Sequence, residues 1–527
     1  MKKYSALLIL GILFLILAAC GSNDNSESSG GSGDSAPASN GNASSEKENQ
    51  EEPAITNAII RVAMKSEVDS LDPYQASATD TGIMMDNVFD GLFDTDENGE
   101  LIPNLASDYQ ISEDNLTYTF TLIENATFHN GEDFTAEDVV YSYSRLAGLE
   151  TGEPLSDKWA VVENVEATGD YEVKVTLKSV DSGFLARTII AILPEGYEEQ
   201  ETHPIGAGPF KFVDYRPGQS LLLERNDDYY MEDKVPQAAE IEFVLMPDTQ
   251  TAVLALQAGD IDIIPGVNAQ QLMQLDDSVT TLSGPSNMPV IFGLNHAVEP
   301  LNDINVRKAI NLAIDKDEII NTVMQGSATK IDSNFSPAMA FFYEDSVEGY
   351  YETDVEAAKE LLAEAGYPDG FDLKMTVPSH ATMYTDSAQI IADQLGKANI
   401  NVTLDPVEWS TWLEQVYTDF NHESTIIGLT GKIDPYDVLI RFVDGYSRNF
   451  INYNNAEYNE MIEKAILETD DNERATHYKR AQEILAEDAA SVFIMDPDSN
   501  TVMRDGVTGL KHYPIGKLNL EDLSITK

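Results

Sequence analysis

The chain has 527 residues and sets 32 basic against 91 acidic side chains, a formal net charge of −59. So acidic a surface excludes nucleic acid as a partner, because that binding needs clustered Lys and Arg to release counterions, and it disfavours a folded body lying on an anionic membrane. One cysteine excludes an intramolecular disulfide and a cysteine-based zinc site, and the length provides for about two to four structural units.

In chain order, Lys2 and Lys3 precede an apolar run of 13 residues from Leu7 to Ala19, followed at once by Cys20 and Gly21. A bilayer core of about 30 Å needs roughly 20 apolar residues, so the run reads as a secretory signal rather than a span. A cysteine just past the small residues Ala18 and Ala19 resembles the bacterial lipoprotein signal. That resemblance implies removal of residues 1–19, acylation of Cys20, and a protein tethered to the outer face of the bacterial cell membrane by its lipid alone. More than one acyl chain is needed for a lasting anchor, at about 0.8 kcal/mol per buried CH₂. Residues 20–54 are mostly Ser, Gly, Asn, Asp and Glu, which cannot bury enough surface to offset ordering entropy. They predict a lipid-anchored flexible linker with a reach of roughly 30 Å.

From Ile59 the composition is globular. Period-two alternation of Leu116, Tyr118, Phe120 and Leu122, and of Tyr171, Val173, Val175 and Leu177, predicts two half-buried strands. Between them Thr135 and Asp138 form a capping-box pattern ahead of the helix face Val139, Val140, Tyr143 and Leu146. Asp315 and Glu318 repeat that pattern before Ile319, Ile320, Val323 and Met324, with Gly326 as the stop. Asp354 opens a helix through Leu361 and Leu362 that ends at Gly366 and Pro368. The segments from Tyr458 to Ile466 and from Arg474 to Asp488 predict two more helices. Strands and helices mixed throughout predict an α/β class.

Chemical motifs are sparse. Asp94, Asp96, Asn98 and Gly99 match the opening of a calcium loop, but the twelfth position is Leu105 where a bidentate Glu is required, so a polar turn is expected. The seven histidines are dispersed, with no i,i+4 pair, and there is neither a phosphate loop nor a Gly-x-Ser-x-Gly elbow. No metal, cofactor or catalytic residue is therefore assigned. Among 91 acids, carboxylate pairs carry no information, which leaves a secreted hydrolase and an adhesive surface protein as alternatives.

Four segments are diagnostic together. The first holds Leu71-Asp72-Pro73-Tyr74, Asn87-Val88-Phe89-Asp90-Gly91-Leu92, Pro103-Asn104-Leu105-Ala106 and Phe128-His129-Asn130-Gly131, then Phe134-Thr135-Ala136-Glu137-Asp138-Val139. The second runs from Pro204-Ile205-Gly206-Ala207-Gly208-Pro209-Phe210 to Arg225-Asn226-Asp227-Asp228-Tyr229-Tyr230. The third is Leu294-Asn295, Asn305-Val306-Arg307-Lys308-Ala309-Ile310 and Asp315-Lys316, and the last Val407-Glu408-Trp409 with Asp434-Pro435. In order and spacing they resemble the large extracytoplasmic solute-binding proteins, family 5, of ABC importers, which carry oligopeptides, dipeptides, nickel and related solutes.

The resemblance implies a two-lobed periplasmic-binding-protein-like fold of type II, in its large three-domain form, with a hinged ligand cleft. Domain I would comprise 55–82, 205–290 and 497–527, domain II would be inserted at 83–204, and domain III would be 291–496. It also implies a monomer without catalysis, whose partners are a peptide or other small solute and a permease with its ATPase complex. In peptide-binding members three places hold an extended backbone, and they fall here at Ser77, Ala78 and Thr79, at Trp409, and at Leu429, Thr430, Gly431 and Lys432. Ser77 and Thr79 would bond to the peptide main chain and Trp409 would form an apolar wall. Peptide-binding members usually place an Asp four residues after the glycine matching Gly428, whereas Lys432 stands there, so Asp434 shifts into that role or the ammonium clamp is lost. The arginine of dipeptide binders falls near the uncharged Thr382, which disfavours a dipeptide. Lys432 in the cleft favours a carboxylate or other anionic group on the solute, and a nickel chelate or metallophore is the alternative within the same fold.

Overall fold

The computed structural model describes residues 56–276 and 278–525, so the signal-like segment, Cys20 and the 20–54 linker lie outside the described residues. Strand Ile59–Met64 pairs in parallel with Glu240–Leu245, and Ser220–Arg225 and Phe210–Arg216 continue the sheet in antiparallel order. Elsewhere, Phe371–Pro378 pairs in parallel with Ile400–Val407 across the helix Thr382–Lys397, and also in parallel with Ser424–Gly428. Ser424–Gly428 in turn pairs antiparallel with Val290–Leu294.

These two halves form one sheet because the 14-residue strand Ser491–Arg504 serves both. Its first residues pair with Val290–Leu294 and its last with Val279–Pro285 and Ile263–Ile264. Parallel β-α-β pairing beside antiparallel ladders makes the class mixed α/β. Apolar side chains gather in separate cores: one within 290–495, here lobe two, and the others in lobe one. Lobe one holds a core within 92–207, on the antiparallel sheet of Ala106–Ile111, Thr117–Leu122, Glu172–Leu177 and Val162–Gly169, and a core joining Ile60 and Val62 to Leu520 and Leu523.

The period-two stretches are the neighbouring strands Thr117–Leu122 and Glu172–Leu177, whose Tyr118, Phe120, Val173 and Val175 face inward. Helix Ala136–Ala147 starts where the Thr135 amide donates to the Asp138 carboxylate at 2.8 Å. The helix Lys316–Val323 departs from the predicted reciprocal cap. Asp315 accepts from the Glu318 amide at 3.0 Å, but Gln394 takes both remaining roles, accepting from the Asp315 amide at 3.0 Å and donating to Glu318 at 2.8 Å. Packing of helix Thr382–Lys397 supplies a better partner than the local one. The Asp94 run forms the hairpin of Phe93–Thr95 with Leu101–Pro103, in which Asp96 accepts from the Asn98 and Glu100 amides at 2.9 and 2.8 Å and Asp94 pairs with Lys517. Among the described residues no helix is long and apolar enough to cross a membrane.

Candidate functional site

A cleft of about 840 Å³ opens beside the place where Ser491–Arg504 passes between the lobes, next to the link from Val279–Pro285 to Val290–Leu294. Its walls come from the turn after Ile59–Met64, from residues 76–89, 156–159 and 183–191, from the crossing residues 282–287 and 499–501, from 430–437 and from 511–518. The structure therefore brings together Ser77, Ala78, Thr79, Thr430, Gly431, Lys432 and Asp434.

The Ser77 loop is shaped by one carboxylate. Asp69 accepts from the Ser77 amide at 2.8 Å, the Ser77 hydroxyl at 2.7 Å and the Ala78 amide at 2.9 Å. Desolvation opposes its charge, yet hydrogen bonds from Thr81, Ser77 and Ala78 hold its carboxyl well below the usual range. The Ser77 proton is thereby committed, so its oxygen is left to accept an N–H from a ligand rather than to donate.

On the facing wall the chain leaves strand Ser424–Gly428 and runs along the crossing segment. The Leu429 amide donates to the Pro289 carbonyl at 2.9 Å and the Gly431 amide to the Asn287 carbonyl at 2.6 Å. A Cβ at Gly431 would lie 1.9 Å from Asn287 Oδ1, so only glycine permits this approach. The Leu429 side chain, just past the end of the strand, packs into the core of lobe two and does not line the cleft. Trp409 is also absent from the lining residues; it is 40% exposed, stacks on the buried Trp412 at 5.1 Å and lies 4.6 Å from the His380 ring. It is an open aromatic shelf on lobe two rather than a core tryptophan.

Asp434 is buried and accepts from the Tyr436 amide at 2.9 Å. Burial pushes its carboxyl up, with Arg474 opposing. It sits where the lobes touch. A Cβ at Gly183 would lie 1.7 Å from Asp434 Oδ2, and the adjacent Ser182 donates to the Ile466 and Ala465 carbonyls at 3.0 Å each, while its own carbonyl accepts from Arg474 at 2.8 Å. A smaller cavity of about 290 Å³, walled by Phe93, Tyr109, Tyr118, Phe341 and Phe342, shares Ala186, Ile433 and Asp434 with the cleft.

Sequence reasoning missed several lining residues. Asn287 is 2% exposed, has a left-handed φ of 53°, and its side-chain nitrogen has no partner among the described residues. Lys65, Lys158, Arg187, Lys511 and Lys517 also line the cleft. Only the expected domain boundary at 290 falls near Asn287; nothing in local pattern marks the lysines.

Comparison with known proteins gives the setting. Residues 100–450 match the family model described as bacterial extracellular solute-binding proteins, family 5 middle. The oligopeptide-binding protein AppA of Bacillus subtilis is 26% identical, over 97% of this chain and 97% of its own. The dipeptide-binding protein of Escherichia coli is 27% identical, over 81% of this chain and 86% of its own. Among solved structures, the periplasmic binding protein DppA from Helicobacter pylori in complex with the peptide STSA is 26% identical, with a TM-score of 0.70 over 89% of this chain and 98% of its own.

Proposed function

Because the chain belongs to the bacterial extracellular solute-binding proteins of family 5, we propose that it is the substrate-binding receptor of an ABC importer, capturing oligopeptides between its lobes and delivering them to the permease and its ATPase. The observation that carries this reading is the cleft of about 840 Å³ at the strand crossing, walled by both lobes and lined by main chain as well as side chains. Its volume lies within the roughly 300–1,000 Å³ of small-molecule sites, and the peptides named for related proteins support a peptide ligand. Domain I at 55–82, 205–290 and 497–527 moves with domain II at 83–204 as one lobe, and domain III at 291–496 is the other. Ligand touching both lobes shifts the population toward closure, which the permease reads.

In this reading Ser77 and the Thr430 loop meet the peptide backbone, Lys432 and Asp434 its charged groups, and Trp409 an apolar side chain. The receptor is a monomer without a catalytic step. Acylated Cys20 and the 20–54 linker hold it at the outer face of the membrane. Native mass spectrometry after incubation with a mixed peptide pool tests the function: intact bound peptides are expected. Shortened products would make it a hydrolase, and a retained nickel or organic chelate without peptide would overturn the peptide reading. Cys20→Ser is expected to release the protein from the membrane fraction.

A further inference from the structure

The cleft inverts the charge balance of the molecule. Over the chain acids outnumber bases by 91 to 32, but the cleft is lined by six bases, Lys65, Lys158, Arg187, Lys432, Lys511 and Lys517, against four acids, Asp80, Asp86, Asp434 and Asp437. Four of the six bases are answered within the protein: Lys158 by Asp437, Arg187 by Asp181 at 2.7 Å, Lys517 by Asp94 and Lys511 by Glu97 at 3.8 Å.

Lys65 and Lys432 are not answered. Among the described residues no carboxylate oxygen lies within 4.0 Å of either ammonium. Lys65 donates to the Gly266 carbonyl at 2.8 Å. Both side chains are open to water in the cleft, yet desolvation by the surrounding protein pulls both pKa values down, and for Lys432 the neighbouring Lys158 and Arg441 add to it. Asp80 opposes the shift at Lys65 and Asp437 opposes it at Lys432, without cancelling either. Asp80 accepts from the Ser66 amide at 2.9 Å, and Asp86 and Asp434 are desolvated, which pushes both carboxyls up, Asp86 to about 6. A third donor is the buried, unpartnered side-chain nitrogen of Asn287. A buried donor left without an acceptor is costly, and so is a desolvated cation without a counter-ion.

Resting on the receptor reading above, we infer that the cleft takes a solute with two anionic groups, one met by Lys65 of lobe one and the other by Lys432 of lobe two, while Asn287 donates to a further ligand oxygen. The ligand is then the counter-ion that joins the lobes, since each lobe supplies one unanswered cation and neither can satisfy both anions. Two sources share this chemistry: an acidic peptide and a non-peptide dicarboxylate.

Isothermal titration calorimetry of the full chain with Glu-Ala-Glu, Gln-Ala-Gln and glutarate at matched ionic strength separates the outcomes. Glu-Ala-Glu is expected to bind at least about tenfold tighter than Gln-Ala-Gln, because charge-assisted hydrogen bonds are roughly twice as strong as neutral ones. Lys65→Met and Lys432→Met should each remove most of that preference and Lys432→Arg should retain it, all with unchanged melting. Lys397→Met, on an exposed helix position, should leave it intact. Equal affinity for the two tripeptides, or a preference that survives both methionine variants, overturns the inference and leaves the receptor reading standing. Glutarate bound with neither tripeptide supports the dianion and overturns the peptide. Binding of none of the three overturns the dianion inference, while the peptide pool decides the receptor reading separately.

Discussion

Gly183→Ala tests whether the touching lobes are part of ligand capture. The added methyl would stand 1.7 Å from Asp434 Oδ2, so the loop must retreat by roughly 1.7 Å to reach ordinary contact. That movement carries the Ser182 bonds to Ile466, Ala465 and Arg474, now 3.0, 3.0 and 2.8 Å, out of range. Two neutral bonds at about 1 kcal/mol each and one to a guanidinium at about 2 sum to about 4 kcal/mol. Rotation of Asp434 recovers some of this, so the touching arrangement should lose about 2–4 kcal/mol, a factor of roughly 30–1,000 in its population. Melting should be unchanged or slightly higher. The contact joins lobes with separate cores, Gly183 does not sit in the left-handed region, and Gly→Ala at such a site contributes about 0.4–1 kcal/mol through the unfolded chain. The assays are calorimetric affinity for a peptide recovered from the pool and small-angle scattering for compaction with ligand. A dissociation constant within twofold of the parent, with compaction unchanged, would refute the reasoning.

Other expectations concern stability. Lys316 and Asp332 form a buried ion pair, each side chain 6% exposed, so Lys316→Met strands a carboxylate and should cost about 3–5 kcal/mol in urea denaturation; a loss below about 1 would contradict it. Burial pushes Glu521 up to about 7. Because the native state then holds this proton more tightly than the unfolded chain, its contribution is full below pH 4.5 and is lost as the pH rises to about 7. Glu521→Gln should therefore raise the melting temperature at pH 8 and change it little at pH 4.5, and an equal shift at both would count against the assignment. Trp412 is 1% exposed and donates to Thr425 Oγ1 at 2.9 Å, whereas Trp409 is 40% exposed. Trp412→Ala should lose about 3–5 kcal/mol and Trp409→Ala no more than about 1.5; similar losses would mean that both serve the core.

Local pattern made some of this structure legible and tertiary chemistry hid the rest. Alternation placed Tyr118, Phe120, Val173 and Val175 correctly because a half-buried antiparallel pair writes its period directly into the sequence. The Asp315 cap was half legible: the capping oxygen is local, but the partner that displaced Glu318 is Gln394, 79 residues from Asp315. At the site, the segments holding Ser77 and Thr430 could be named from resemblance, yet the Ser77 hydroxyl is occupied by Asp69, which no spacing rule announces. Lys65 and Lys432 share a cleft through the fold alone, 367 positions apart in the chain.

The position of the proposed hinge follows from where the ladder breaks. Pairing runs from Val279 opposite Arg504 to Pro285 opposite Asp498, and resumes at Val290 opposite Met495 with a register shift before Ile291. In between, Asn287 takes a φ of 53°, and three bonds cross: the Ser286 amide donates to the Pro497 carbonyl at 2.9 Å, and the buried Asp496 carboxylate accepts from the Ser286 hydroxyl at 3.1 Å and the Met288 amide at 3.0 Å. Two of the three run through a side chain, which tolerates a change of angle that a strand ladder does not, and a fully buried carboxylate is costly to leave without donors. The same short stretch carries the unpartnered Asn287 amide at the cleft. Asn287 borders the cleft, so a turn of its backbone would reshape the wall that a ligand meets.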